Sequence, residues 1–312
     1  MPYKFKDFLA PAAETQRIAE EQLARAIAEI EDTSLSSGKT VHQVRKRCKK
    51  LRGLLRLARG PLDRGKTFSQ ENAWYRDTAG ALSGMRDAEV LIETFDKLTK
   101  PNPDIDGRHV APVRRKLTKR LRAIAEDESV WETRLDEARD RLDEGRRRVP
   151  EWAGVVTGFA ELENGLGKTY RRGRKALKAL SPNASGEAFH EWRKRVKNHG
   201  YHIRLLEKAW PEVLRARASE VSRLGDLLGD EHDLSIFSAI LLDESEDLGD
   251  PAIRAELVVL ARERQEQLRA EALRLGPLVY AEKTSALVKR VAKLWSRTCK
   301  QQRKRAKEPA AA

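Results

Sequence analysis

From Lys39 to Arg59 the chain carries nine Lys or Arg residues and no Asp or Glu, with His42 near the start of the run. An α-helix turns by roughly 100° per residue, so His42, Arg45, Lys49, Arg52 and Arg56 fall within an arc of about 80°. Lys46 belongs to the same run. Val44, Cys48, Leu51, Leu54, Leu55 and Ala58 fall on the opposite side, which makes this an amphipathic helix with a core face and a basic face. Like charges at i,i+3 and i,i+4 weaken a helix, and a stripe on the order of 20 Å long at 1.5 Å per residue needs an anion to offset that repulsion. Arg grips phosphate oxygens with a planar fork and Lys offers a mobile point charge. A row of them would hold a repeating anion without reading any base. His42 lies in the first turn, where backbone amides favour an anion. A structural histidine bonded to a neighbouring helix is the equal alternative.

The pattern recurs. Residues 189–205 laid without gaps on 41–57 match at seven of 17 positions: His42/His190, Arg45/Arg193, Lys46/Lys194, Arg47/Arg195, Lys49/Lys197, Arg56/Arg204 and Leu57/Leu205. Packing alone would preserve the apolar face, yet the basic face is the better kept, and Leu51 becomes His199. Farther along, Arg86-Asp87 corresponds to His232-Asp233. Lys168 to Lys178 adds six bases and no acid, with Arg171, Arg174 and Lys178 on one face; Arg115, Lys119 and Arg122 share another face as outer contacts. From Leu224 to Ile253 there are nine Asp or Glu and no Lys or Arg. Charge is sorted by segment.

Helices must position these groups. The periodicity predicts helices over about 12–33, 40–59, 69–98 and 110–148, then 155–180, 186–209, 212–242 and 251–299. Thr40 with Gln43 reads as a capping box, Ser185 as a second cap, and Gly60-Pro61, Pro101-Asn102-Pro103, Pro150 and Ser181-Pro182 as breaks. Four helices per half, repeating near 148 residues, predict an all-α fold of two four-helix bundles made by internal duplication. Bundle one spans about 6–149 and bundle two about 150–300. The basic tail 301–312 is expected to be disordered.

Composition narrows the partner. The chain has 312 residues, 62 Lys plus Arg against 48 Asp plus Glu, a net charge of +14 and a pI near 9.8, which points to polyanions. Hydrophobic residues make up 40%, enough for a buried core. Cys48 and Cys299 form no disulfide or metal pattern. No signal-peptide region and no transmembrane run is visible, so a cytoplasmic location is the default expectation.

The stretches VHQVRKRCKKLRGLLRL, LSGMRDAEVL, YRRGRKAL, FHEWRKRVKNHGYHIRLLEKAWP and LGDEHDL resemble the CHAD family, the histidine-containing α-helical domains, over about residues 12–300. The resemblance implies bundles related by pseudo-twofold symmetry, a basic central channel that binds inorganic polyphosphate, and association with polyphosphate granules. The family's histidines correspond to His42 and His190, and its basic positions to Arg45, Lys46, Lys49, Arg193, Lys194 and Lys197. Gly200 replaces a base opposite Arg52, and Glu89 and Ser235 stand where an aspartate is common, which predicts a weaker second stripe. The Glu-x-Glu-x-Lys signature of triphosphate-cleaving tunnel domains is absent, so that activity is not implied.

Other chemistries fit less well. Gly165 to Thr169 ends like a P-loop, but Leu162 stands where the motif wants glycine and no strand precedes it. Glu187 and His190 match half of a di-iron motif, with Lys39 where the partner glutamate should be. His199 and His202 at i,i+3 lack further zinc ligands. Trp192, Val196, Ile203 and Trp210 share an arc opposite His190 and are expected in the core. Tyr170, beside Arg171, is open between core and channel edge. The expectation is a non-catalytic polyphosphate-binding module with no metal or cofactor. Its contacts are His42, Arg45, Lys46, Lys49, Arg52, Arg56, His190, Arg193, Lys194, Lys197 and Arg204, joined by Arg171, Arg174 and Lys178 and, outside, by Arg115, Lys119 and Arg122. A nucleic-acid-binding protein is the alternative, although aromatic residues for stacking are only 6%. An enzyme would need carboxylates or metal beside the ridge.

Overall fold

A computed structural model describes residues 3–100, 102, 105–125, 128–181 and 184–307. Every regular element among these residues is helical: α1 Pro11–Glu31, α2 Ser37–Leu57, α3 Arg59–Leu62, α4 Thr67–Ala81, α5 Ser83–Thr99, α6 Gly107–Ala125, α7 Glu128–Ala153, α8 Phe159–Lys178, α9 Gly186–Leu206, α10 Pro211–Leu242, α11 Pro251–Val279 and α12 Thr284–Lys307. Short 3₁₀ turns follow α3 and α9.

Apolar stripes dictate the packing. In the first half α1 lies on α2 and α7, and α4 closes the ring by touching both α2 and α7. In the second half α8 packs on α9 and α12, α9 on α10, and α10 on α11. The two halves meet where α2 touches α8 and α9. One large core results, with Leu51, Leu54, Tyr75, Trp152, Leu166 and Trp192 fully buried. The α5–α6 hairpin touches α2 of its own half and also lies on α10 and α11, around a separate core that includes Phe95, Val113, Phe237 and Leu257.

Several boundaries differ from those the sequence suggests. α2 begins after Ser36, and Thr40 is a buried interior residue that caps nothing. The reason is a close approach: a Cβ on Gly38 would lie 1.7 Å from Glu89 Oε1, so this turn is wedged against α5. Ser185 does cap α9, accepting from Ala188 N at 3.3 Å. The expected helix 69–98 is interrupted at Leu82, a fully buried residue at φ −99°, ψ 18° flanked by Gly80 and Gly84. Glycines lower helix propensity there, and burying Leu82 decides the bend. The stretch 110–148 is two helices, and Pro150 lies inside α7 rather than ending it. The stretch 251–299 is also two, because Tyr280 turns inward to meet Tyr170 (ring centroids 5.1 Å apart) and Glu282 holds the turn by accepting from Arg217 and Arg290 at 2.9 and 2.7 Å.

The ordered chain exceeds the expected limits of 6 and 300. Residues 301–307 continue α12. Gln302 Nε2 donates to Lys6 O and its Oε1 accepts from Phe8 N, while Phe5 and Phe8 pack edge-on against Trp295. Residues 308–312 of the expected tail lie outside the described residues. Trp210 is 44% exposed: α9 has ended at Leu206, so the arc that buries Trp192 does not carry on to it. Among the described residues no helix is long and apolar enough to cross a membrane.

Candidate anion-binding site

The site is set by the crossing of α2 and α9. Gly53 permits it: a Cβ there would sit 2.9 Å from Tyr201 Cβ and 3.0 Å from Tyr3 Oη. His202, fully buried, donates from Nε2 to Gly53 O at 3.2 Å, and burial drives its pKa down to about 3, so it stays neutral. His199 is buried against the Tyr170 and Tyr280 rings. Both are buried packing residues. Tyr170 belongs to the core and donates from Oη to Glu282 O at 3.2 Å. Gly165 brings α8 in from the side, since a Cβ there would lie 2.0 Å from Leu57 O. Cys48 lies on the buried face of α2, and that burial pushes its thiol up to about 12 and leaves it unreactive.

Above this crossing the cations gather. Lys49 reaches solvent, yet desolvation among its packed neighbours, followed by the charges of Arg45, Arg193, Lys197 and Arg52, pulls its ammonium down to about 8. Arg56 falls to about 10 through burial and then the charges of Arg52 and Arg195. Arg45 and Arg52 are lowered as well, burial being the main cause. Carboxylates do little to relieve the α2 ridge: Asp87 stands 3.8 Å from Arg45 Nη2. Arg45 Nη1 and Arg193 Nε are buried and find no hydrogen-bond partner among the described residues. Arg52 Nε reaches Asn72 Oδ1 at 3.3 Å, and Arg56 Nη1 donates to Arg52 O at 2.9 Å.

The α9 ridge is placed by α10. Gly225 and Gly229 form a floor one turn apart, where a Cβ would lie 3.2 Å from Lys197 Cδ and 3.8 Å from Arg193 Nε. Lys197 pairs with Asp226 at 2.9 Å, Lys194 with Glu191, and Arg204 Nη2 donates to Ser222 Oγ at 3.2 Å. This ridge is therefore partly neutralised, whereas on the α2 ridge only Arg45 has a carboxylate close by, Asp87, and among the described residues none pairs with Lys49, Arg52 or Arg56.

His42 is exposed, and its pKa is lowered by desolvation and then by Arg86, Lys46 and Lys49. His190 sits against His232, with Nδ1 to Nδ1 3.1 Å and ring centroids 4.0 Å apart. One Nδ1 must donate and the other accept, so the two rings cannot both be charged; burial lowers the pKa of each, and with the closeness of His190 it brings His232 down to about 4. Asp233 is raised by burial against the opposing pull of Arg193. His232 is a site residue that the sequence reading passed over, although its alignment with Arg86 was the signal: each stands beside the histidine of its own half.

Other expected contacts lie elsewhere. α6 packs on α5 and α11, so Arg115, Lys119 and Arg122 are exposed on a hairpin apart from the crossing. Arg171 and Lys178 are exposed on α8, Arg174 is half-buried beside Tyr170, and Arg172 rather than Arg171 faces Arg195. Among the described residues no three His, Cys, Asp or Glu side chains come together as a metal site.

The CHAD domain family model matches residues 17–242. The crystal structure of the CHAD domain from the plant Ricinus communis superposes with a TM-score of 0.56, covering 91% of this chain and 96% of that one at 17% sequence identity. No curated protein matches this chain.

Proposed function

We propose, from the premise that this chain belongs to the CHAD family, that it is a non-catalytic binding module for inorganic polyphosphate. The family is linked to polyphosphate binding in general. One observation carries the reading for this chain: Arg45, Lys49, Arg193 and Lys197 from two helices converge on one place, with buried N–H groups of Arg45 and Arg193 unpartnered. A phosphate chain supplies many acceptor oxygens and displaces the counterions such a cluster gathers. The neighbouring carboxylates of Asp87, Asp226 and Asp233 face ridge cations, which supports binding over metal-assisted cleavage. Recruitment to polyphosphate granules in the cytoplasm is part of this proposal.

The halves arose, on this reading, by duplication about a pseudo-twofold axis through the α2–α9 crossing. Gly53 and Tyr201, which are equivalent positions 148 residues apart, touch each other there. Nucleic acid is the competing ligand. Its bases would look for exposed stacking rings, but Tyr170, Tyr280 and Trp192 are buried, and Trp210, which is exposed, lies past the end of α9. Competition decides: long-chain polyphosphate should displace RNA at far lower phosphate concentration than RNA displaces polyphosphate. The opposite order would overturn the proposal.

A further inference from the structure

Beyond the α9 crossing, the α2 ridge runs into a second basic niche. Arg56, Arg59, Lys168, Arg172 and Arg195 line it, and Thr169 and Asn198 add polar side chains. Four elements converge: the end of α2, then α3, α8 and α9. Five cations meet two carboxylates. Asp63 accepts from Arg59 Nε at 2.9 Å and stands 3.9 Å from Lys168 Nζ, and Glu191 accepts from Arg195 Nη2 at 3.0 Å. Burial, and after it the surrounding cations, lowers the pKa of Arg56, Lys168 and Arg172. The cavity is small, about 20 Å³, room for a group or two the size of a water, such as the oxygens at the end of an anion.

The rest of the molecule supplies a control. At the same offset of 148 residues, Arg59 corresponds to Glu207, Lys168 to Glu20, Arg172 to Ala24 and Arg195 to Arg47. There Glu207 accepts from Lys4 at 3.0 Å and Arg215 at 3.4 Å, and Arg47 is held by Glu29. That place is neutralised by its own neighbours. A niche required by the fold would occur at both ends, and this one occurs at one.

We infer that the niche seats a single phosphoryl group at one end of the basic ridge. Two sources share that chemistry, the end group of a polyphosphate chain and a free phosphate or pyrophosphate. The inference rests on the polyphosphate reading for the first source only. A seated chain end would give the ligand a direction along α2.

The test is titration calorimetry with pyrophosphate on three proteins: the wild type, Lys168→Glu with Arg172→Glu, and the ridge pair Lys49→Glu with Arg193→Glu. Lys168→Gln with Arg172→Gln serves as a milder niche variant, and melting curves check folding. Loss of charge-assisted bonds to the niche should weaken pyrophosphate at least about tenfold, while the ridge pair weakens it less than about threefold. Equal loss in both variants, loss confined to the ridge pair, or no binding to the wild type overturns the inference. Polyphosphate with amine-blocked ends then separates the sources. Weaker binding of the blocked chain to the wild type, but not to the niche variant, identifies the chain end; equal binding assigns the niche to free phosphate. If long chains fail to bind while pyrophosphate still discriminates, the function proposed above falls and the niche stands.

Discussion

α2 and α6 are both helices with a run of bases and no acid, and their sequences alone do not separate them. Their neighbours do. On α6, Arg114 forms a two-point contact with Asp96 at 2.8 and 3.0 Å, while Lys116 pairs with Asp247 and Arg120 with Glu246. On α2, Lys49 faces Arg45, Arg193, Lys197 and Arg52. Exposed pairs of the α6 kind contribute little to stability, but they offset the charge of the three cations that form them. On the proposed reading, the basic run that binds is the one the fold leaves facing other cations.

The largest effect should come from reversing charge at Arg45, Lys49, Arg193 and Lys197 together. Filter-binding affinity for long-chain polyphosphate should fall by more than about a thousandfold with helix content unchanged, since several phosphate contacts are lost at once. Reversal at Arg114, Lys116 and Arg120 should change it less than about fivefold, because each of these cations already has a carboxylate partner. Equal losses would erase the distinction between the two helices.

Gly53→Ala acts on the geometry instead. The added methyl meets Tyr201 and Tyr3 at about 3 Å, so the two ridges must separate. Overpacking of this kind costs about 1–3 kcal/mol, measurable by urea denaturation, and binding should weaken about tenfold. Unchanged affinity would mean that the α2 ridge acts alone.

Proton linkage gives the smallest and most local signal. Lys49 titrates at about 8 against an ordinary value of 10.5. Between those values the unfolded chain holds more protons than the folded one, so stability of the free protein should rise as pH climbs through that window. A bound polyanion restores the charge, so affinity should fall about three- to tenfold from pH 7.5 to 9.5, and Lys49→Arg should flatten the fall. His42 is lowered too, so it adds affinity only on the acid side, where it takes up a proton. A flat profile between pH 7.5 and 9.5 would count against Lys49 as a contact.

Much of this was legible from periodicity. α2 and α9, their core faces and the cations on the opposite arcs all follow from angular counting, and the match of 41–57 to 189–205 located their partnership. What escaped the sequence depended on tertiary neighbours. The Leu82 and Tyr280 bends occur where a side chain gains a buried site, close to Gly80 and Gly84 in one case and to Gly276-Pro277 in the other. Residues 301–307 look like a solvated tail until Lys6 and Phe8 dock on Gln302. Arg47 lies in the same basic run as Arg45, yet it is buried against Glu29. The niche at Arg59 and Lys168 joins residues about a hundred positions apart, which no local pattern brings together.

A crystal grown with polyphosphate tests the central claim most directly. The account predicts phosphate density over the α2–α9 crossing, within hydrogen-bond reach of Arg45 Nη1 and Arg193 Nε. Density that instead follows α6 or α12 and leaves those two groups without an acceptor would contradict it.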